Sequence, residues 1–203
     1  MNVLIVAATK SEITSDKISD LPILITGVGM VNTTYKLTKH LSVNSYDVVI
    51  NMGVAGSFNS DIEIGDVVEV VEDDFSELGF ENGMEFERFS DFEIETIFGT
   101  CFPPYMNGNY LWKKTDLQKV KGITVNTVHG NKDSITEIVS RLNPDVESME
   151  GAAVFKVCHE LAAPCMQIRA ISNKVEKRNK ENWNLPLAIS NLNIEVEKII
   201  STL

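Results

Sequence analysis

The chain has few basic residues and few cysteines, and each shortage excludes a class of function. Its 203 residues include 18 Lys and Arg against 29 Asp and Glu, which gives a formal net charge of −11. A nucleic-acid partner requires clustered Lys and Arg to meet the phosphate backbone, so we expect no such partner. Cys101, Cys158 and Cys165 show no CxxC spacing and lie in or near apolar runs. We expect buried reduced thiols rather than a metal site, and we predict no cofactor.

Long apolar runs are also missing. No run reaches the roughly 18 residues that a membrane span requires, and the amino terminus lacks the pattern of a secretion signal. We therefore expect a cytoplasmic protein without a membrane partner. A chain of 203 residues is long enough for one well-buried core and short for two, so residues 1–203 are predicted to form a single domain.

Segments typical of strands alternate with segments of helical periodicity along the chain. The predicted strands cover residues 2–8, 21–26, 47–52, a run after Gly65-Asp66, 123–128 and 166–172. Predicted helices end near Leu41, cover 134–141, begin at Glu150 and cover 185–200. Residues 14–20 are interpreted as a polar loop and residues 72–95 as a long surface excursion. The alternation predicts an α/β fold with a central mixed sheet flanked by helices.

Two short segments rich in small residues follow predicted strands. Residues 27–32 (GVGMVN) lead into a helix, and residues 53–56 (GVAG) follow the third strand. Both are interpreted as tight turns, whose backbone N–H groups can approach a ligand closely. Asn32 replaces the third glycine of GxGxxG, so a dinucleotide fingerprint is excluded. The two turns predict a floor for a flat ligand, formed by Gly29, Val54, Ala55 and Gly56.

The stretch 146–183 carries the polar positions around which the site is predicted. Glu150 opens a helical segment, and residues 166–172 are typical of a short buried strand. Ser172 and Asn173 would then emerge at the carboxyl edge of a parallel sheet, where α/β folds bind ligands. Glu12, after the first strand, is placed for chemistry or serves only as a first-turn helix acid. His129, on another exit loop, either faces the site or is simply solvated.

Six motifs in this order resemble the nucleoside phosphorylase and nucleosidase superfamily. They are Glu12 and the segments 27–32, 53–56, 65–66 (GD), 147–153 (ESMEGAA) and 168–173 (IRAISN). The resemblance covers nearly the full length and implies a three-layer nucleoside phosphorylase-like fold. Residues 171–193 look most like the futalosine hydrolases, which remove hypoxanthine from futalosine in an alternative menaquinone pathway. This implies an N-glycosidic hydrolase that takes a nucleoside and water, and a homodimer or higher homo-oligomer.

The resemblance also implies roles for individual residues. Glu12 would orient and deprotonate the attacking water, and Glu150 would accept hydrogen bonds from the ribose 2′- and 3′-hydroxyls with Met149 packed on the sugar. Asn173 stands where adenine-releasing members carry aspartate. An amide offers a fixed donor and a fixed acceptor, which suits a 6-oxopurine. Ser172 would contact the substrate beside it, and Arg169 would orient Glu12 or its loop.

Water rather than phosphate is the predicted nucleophile. A phosphate site would need arginines at the small-residue turns, and none of the four arginines lies near them in sequence. A basic cluster follows Asn173 and consists of Lys174, Lys177, Arg178 and Lys180. Arg178 is predicted to bind the carboxylate of futalosine, with Trp183 as a flat apolar wall. The alternative is that the cluster is only a solvated basic loop. Two other functions stay open. They are a methylthioadenosine/adenosylhomocysteine or aminofutalosine nucleosidase, and a non-catalytic nucleoside-binding protein.

Overall fold

The computed structural model of the chain describes residues 1–83, 85–89, 101–102 and 115–203. The strands are β1 (Val3–Ala7), β2 (Ile23–Ile25), β3 (Val48–Ser57), β4 (Val67–Phe75), β5 (Gly79–Asn82), β6 (Glu85–Arg88), β7 (Cys101–Phe102), β8 (Gln118–Thr124), β9 (Val146–Ser148) and β10 (Cys165–Lys174). The α-helices are α1 (Asp16–Ser19), α2 (Met30–Leu41), α3 (Lys132–Leu142), α4 (Gly151–Glu160) and α5 (Leu185–Thr202). Short 3-10 turns cover Lys10–Glu12 and Lys180–Asn182.

The strands form a mixed central sheet around β3. Strand β1 pairs in parallel with β2 and β3, and β3 pairs in parallel with β10. Strand β10 continues antiparallel to β4, which pairs in parallel with β8, and β8 pairs in parallel with β9. Because β9 returns antiparallel to β3, this part of the sheet closes on itself. Strands β5 and β6 form a separate hairpin.

Helices cover both faces of the sheet, and β1 shows how the sequence divides the core. Leu4 and Val6 pack on the side of α2 and α4, whereas Val3, Ile5 and Ala7 pack on the side of α1 and α5. This division follows from the alternation of side chains along a strand that is buried on both faces. The predicted three-layer fold with a mixed sheet is confirmed.

The buried thiols and the membrane prediction can be compared with the described residues. Cys158 and Cys165 are buried thiols, as predicted, and the side chain of Cys101 lies outside what the structure describes. Within the described ranges, no helix is long and apolar enough to cross a membrane.

The interpretation of residues 53–56 as a turn is wrong. They continue β3, and Gly53, Val54 and Ala55 pair with consecutive residues of β10. The glycines reflect close approach of side chains: a Cβ on Gly53 would lie 3.0 Å from both Arg169 Nη1 and Glu12 Oε1. Small residues here make room for the site instead of turning the chain.

Three other predicted segments also need correction. The supposed loop 14–20 contains α1, which Ser15 caps by accepting the Ile18 N–H at 3.3 Å and which buries Ile18. The excursion predicted for residues 72–95 begins instead as the second half of β4 and continues into the β5–β6 hairpin. The strand predicted over 123–128 is β8 and ends at Thr124, because the Asn126 N–H donates to Glu77 Oε2 at 3.0 Å and the chain turns away.

Candidate active site

A cavity of about 300 Å³ lies at the carboxyl ends of the parallel strands β1, β3 and β10. Most of the residues predicted for the site line it. These are Glu12, Val54, Ala55, Gly56, Met149, Glu150, Ser172, Asn173 and Trp183. The other three predicted residues, Gly29, Arg169 and Arg178, lie outside its wall. The strand ends therefore bring together residues that are up to 171 positions apart in the sequence, from Glu12 to Trp183.

Glu12 is held at the cavity by the turn that follows β1. Its Oε2 accepts the Thr9 N–H at 2.7 Å and the Thr9 hydroxyl at 3.2 Å, which closes a capping box around the turn. From α5, Asn193 Nδ2 donates to the Glu12 backbone carbonyl at 2.9 Å. The side chain is 8% exposed, so this carboxylate faces a small amount of water in a fixed orientation.

Glu150 precedes α4 and meets the turn before α2. Its Oε1 accepts the Gly29 N–H at 2.8 Å. Gly29 has φ +94°, a conformation that favours glycine and that lets its N–H point at the carboxylate. Gly29 thus supports Glu150 and does not itself line the cavity. Burial raises the pKa of Glu150, while the Gly29 hydrogen bond and the charge of Arg169 oppose that increase.

Arg169 lies behind the cavity wall and is 1% exposed. Its Nη2 donates to Asn51 Oδ1 at 2.5 Å. Burial lowers the pKa of the guanidinium, and the charges of Glu150, Asp73 and Glu12, in that order, oppose the decrease. The prediction that Arg169 orients Glu12 or its loop stays a prediction, and the charge of Arg169 also acts on Glu150. The positive charge of the guanidinium therefore acts on both site carboxylates from behind the cavity wall.

Asn173 has its amide orientation fixed by its neighbours. Its Oδ1 accepts the Ser172 hydroxyl at 2.9 Å, and its Nδ2 donates to the Lys174 carbonyl at 2.9 Å. Each amide group keeps one further hydrogen-bonding position, because the oxygen has two lone pairs and the nitrogen has two hydrogens. The side chain can thus donate and accept toward a ligand without rotating.

A second polar pair also lines the cavity. His129 Nδ1 lies 2.6 Å from Glu147 Oε2, and the His129 backbone N–H donates to Glu147 Oε1 at 3.1 Å. The loop position of His129 raised the question of a role in the site, but Glu147 was missed. The available signal was its place in the run 147–150 (ESME), two residues before Met149.

The basic cluster after β10 is divided by the structure. Trp183 lines the cavity. Arg178 is exposed, and its Cζ lies 5.3 Å from the centre of the Trp183 ring. Lys174 Nζ instead donates to the backbone carbonyls of Asn59, Ser60 and Ile62. Arg178, Lys177 and Lys180 are thus the exposed cations near this end of the site.

This geometry can be compared with known proteins. The family model described as the phosphorylase superfamily matches residues 14–108 and 115–202. The chain belongs to the phosphorylase superfamily. A similar relative is the futalosine hydrolase of Thermus thermophilus, 27% identical over 181 residues that cover 88% of this chain and 80% of the relative. The superfamily predicted from the six motifs is confirmed.

Two further relatives within the phosphorylase superfamily carry other names. The 5′-methylthioadenosine/S-adenosylhomocysteine nucleosidase of a Marinomonas species is 27% identical and covers 89% of this chain and 80% of its own. The aminodeoxyfutalosine nucleosidase of Campylobacter jejuni is 26% identical and covers 78% of this chain and 70% of its own. The three identities are nearly equal, so they do not separate the substrates.

Solved structures agree on the fold. The native futalosine hydrolase of Helicobacter pylori superimposes with a TM-score of 0.78 at 18% identity, covering 99% of this chain and 97% of that chain. The 5′-methylthioadenosine/S-adenosylhomocysteine nucleosidase of Neisseria meningitidis, in complex with methylthio-immucillin-A, gives a TM-score of 0.75 at 18% identity and covers 99% of both chains. At these identities the likeness establishes the phosphorylase superfamily fold alone.

Proposed function

We propose that this protein is a purine nucleosidase that hydrolyses the N-glycosidic bond of futalosine to hypoxanthine and dehypoxanthine futalosine in menaquinone biosynthesis. The observation that carries the proposal is the convergence of Glu12, Glu150 and Asn173 on one cavity. The names of the three relatives support the reaction class, since each is a nucleosidase or hydrolase.

The proposed reaction assigns one task to each polar residue. Breaking the bond leaves positive charge on the ribose and negative charge on the departing base, so the site needs a base for water and donors for the leaving group. Glu12 takes a proton from the attacking water, whose oxygen bonds to the ribose C1′ carbon. Glu150 accepts from the ribose hydroxyls. Hypoxanthine leaves with the electron pair of the broken bond, which spreads onto O6, where Asn173 Nδ2 donates. The departed anion then takes a proton from solvent, and Glu12 releases its proton to solvent.

Water as the nucleophile is supported by the charge of the cavity wall. Within the described residues, no Lys or Arg side chain lines this cavity. A phosphate monoanion or dianion would meet the carboxylates of Glu12, Glu147 and Glu150 instead of a cation. Hydrolysis therefore suits the cavity better than phosphorolysis.

A second candidate is a nucleosidase that releases adenine from methylthioadenosine, adenosylhomocysteine or aminodeoxyfutalosine. This candidate is supported by two relatives with those names, whose sequence identities to this chain nearly equal that of the futalosine hydrolase. Asn173 favours the 6-oxopurine, because an amide has no acidic proton to transfer to N7 of a departing adenine.

The test is chromatography of free base after separate incubation with futalosine, aminodeoxyfutalosine, methylthioadenosine and inosine. We expect hypoxanthine from futalosine at a rate well above the other three, and ~100-fold or more slower release from an identically purified Glu12→Gln protein. Adenine as the main product would select the second candidate. Tight nucleoside binding by calorimetry with no base released on long incubation would instead identify a non-catalytic binding protein.

A further inference from the structure

His129 and Glu147 lie at the same end of the cavity as Asn173. A Cβ on Gly56 would be 3.1 Å from Asn173 Nδ2 and 3.5 Å from Glu147 Cγ, so these two side chains flank one backbone position of β3. Glu12 and Glu150 form the other group: the turns after β1 and β2 hold their carboxylates, and the charge of Arg169 acts on both. The cavity thus has a carboxylate end and an amide–imidazole end.

The His129 ring is held in one orientation. Glu147 is 4% exposed, and its two oxygens receive the His129 backbone N–H and the Nδ1 position of the ring. Phe58 packs edge-on against the imidazole with ring centres 6.0 Å apart. Because a carboxylate only accepts, Nδ1 carries the hydrogen, and in the neutral tautomer with that hydrogen Nε2 is a hydrogen-bond acceptor.

Nε2 is the free end of this pair. In the described part of the chain it has no hydrogen-bond partner, and the His129 side chain keeps 12% of its surface exposed while lining the cavity. A backbone hydrogen bond, a carboxylate and an aromatic ring therefore fix the imidazole and leave one acceptor position free on a residue that lines the cavity. A side chain that is held in one orientation and keeps a free acceptor is typical of a binding group.

We propose that His129 reads the purine base, accepting through Nε2 a hydrogen bond from N1–H of a 6-oxopurine, and that Glu147 is the positioning residue that fixes this tautomer. The inference rests on the proposed function, since it takes the base to lie at the Asn173 end of the cavity. It adds a selectivity element that Asn173 alone does not supply. Adenine presents a lone pair at N1, and two facing acceptors repel each other.

The test measures the affinity of free bases by calorimetry, which does not depend on turnover. The probes are hypoxanthine, 1-methylhypoxanthine and adenine, and the proteins are wild type, His129→Ala and Glu147→Gln. The control is His40→Gln, because His40 lies on α2 and contacts Tyr46 at 2.8 Å, away from the cavity. Wild type and the control should prefer hypoxanthine over both other bases.

The two variants should change the affinities for the three bases in different ways. His129→Ala should weaken hypoxanthine roughly tenfold, the scale of one buried donor left unpaired, and should tighten 1-methylhypoxanthine by removing its clash with Nε2. In Glu147→Gln the new amide can donate to Nδ1, which moves the ring hydrogen to Nε2. That protein should lose affinity for hypoxanthine and gain affinity for adenine, a reversal that a merely structural role would not produce.

Unchanged base preference in both variants would overturn the inference, as would the absence of hypoxanthine binding to wild type. If His129→Ala fails to fold, as judged by circular dichroism, Glu147→Gln decides alone, because it preserves shape. The two proposals fail separately. Base release from futalosine with no dependence on His129 removes only this inference, and His129-dependent base binding without hydrolysis of any nucleoside removes only the proposed function.

Discussion

The charge of the buried Arg169 acts on both Glu12 and Glu150, yet the immediate contacts of the two carboxylates differ. Glu12 accepts from Thr9 within its own turn, whereas Glu150 accepts from Gly29 on another segment. Burial raises the pKa of Glu150, and the negative charge of Glu12 contributes to that increase. The two carboxylates are thus placed for different tasks, with Glu12 on the water side and Glu150 on the ribose side of the proposed mechanism.

The first residue-scale prediction concerns Glu12. Glu12→Gln should reduce kcat by ~100-fold or more, the usual effect of removing a general base, and should leave ligand binding largely intact. Binding survives because the glutamine oxygen still accepts the Thr9 N–H. Steady-state kinetics and calorimetry with substrate provide the two readouts, and the exposed Glu63→Gln serves as the matched control. Near-normal turnover in Glu12→Gln would remove this residue from the mechanism.

The second residue-scale prediction concerns base selection by Asn173. Asn173→Asp should lower activity on the hypoxanthine nucleoside and raise activity on adenine nucleosides. The physical reason is that a carboxyl, unlike the amide, can transfer a proton to N7 of a departing adenine. The ratio of the two rates is the measurement, with the exposed Asn44→Asp as control. An unchanged ratio would contradict the assigned role.

At the scale of elements, the end of β10 and the loop that follows it determine which groups reach the substrate beyond the ribose. Trp183 is fixed on the cavity by the turn Lys180–Asn182, and Arg178 is anchored by its N–H to the Gly130 carbonyl at 3.1 Å. The loop therefore places the exposed guanidinium of Arg178 over the indole ring of Trp183, which lines the cavity.

The element-scale prediction follows from that arrangement. Arg178→Ala should raise KM for futalosine by roughly tenfold to a hundredfold, the scale of a charge-assisted hydrogen bond to its carboxylate, and should leave inosine cleavage little changed. Lys39→Ala, an exposed cation on α2, is the matched control. Equal losses on both substrates, or none, would show that Arg178 does not bind the carboxylate and would direct attention to Lys177 or Lys180.

At the scale of the whole molecule, the sequence predicts the layers well because the spacing of apolar residues follows which side of each strand or helix is buried. Strand β1, helix α2 and helix α5 are found close to where their apolar spacing places them. Residues 53–56 were misread because small residues suit both a turn and a crowded strand, and only the three-dimensional positions of Arg169 and Glu12 distinguish the two. Strand β9 has three residues, too few for a periodic signal.

The site was predictable to the extent that its residues follow strands. Glu12, Ser172 and Asn173 lie at strand ends, so the topology alone brings them together. Glu147 was missed because its role depends on a contact with His129, 18 positions away, which no local pattern encodes. Arg169 was correctly predicted to be buried. Its charge interactions with Glu150, Asp73 and Glu12 depend on distances that only the fold defines.

The final prediction concerns the stability of the molecule and Asp73, a buried carboxyl beneath α4. Thr124 Oγ1 donates to its Oδ1 at 2.8 Å and Gln167 Nε2 to its Oδ2 at 2.9 Å. Burial raises the pKa of Asp73 from 3.8 to about 6, with the two hydrogen bonds opposing the increase. Because the folded state holds this proton more tightly than the unfolded chain, its contribution to stability is present below pH ~4 and is lost as the pH rises through about 6.

Asp73→Asn should therefore stabilise the protein more at neutral than at acidic pH. Relative to wild type, its free energy of unfolding should rise by about 2 kcal/mol more at pH 7.5 than at pH 4.0, since each unit of pKa shift corresponds to about 1.4 kcal/mol. Denaturant titration at the two pH values, on either side of the pI near 4.7, measures the difference, and the exposed Asp61→Asn should show none. The amide can also donate to Gln167 Oε1, which has no hydrogen-bond partner in the part of the chain that the structure describes. A variant less stable than wild type at pH 7.5 would contradict the prediction and would show that Arg169 requires the ionised carboxylate.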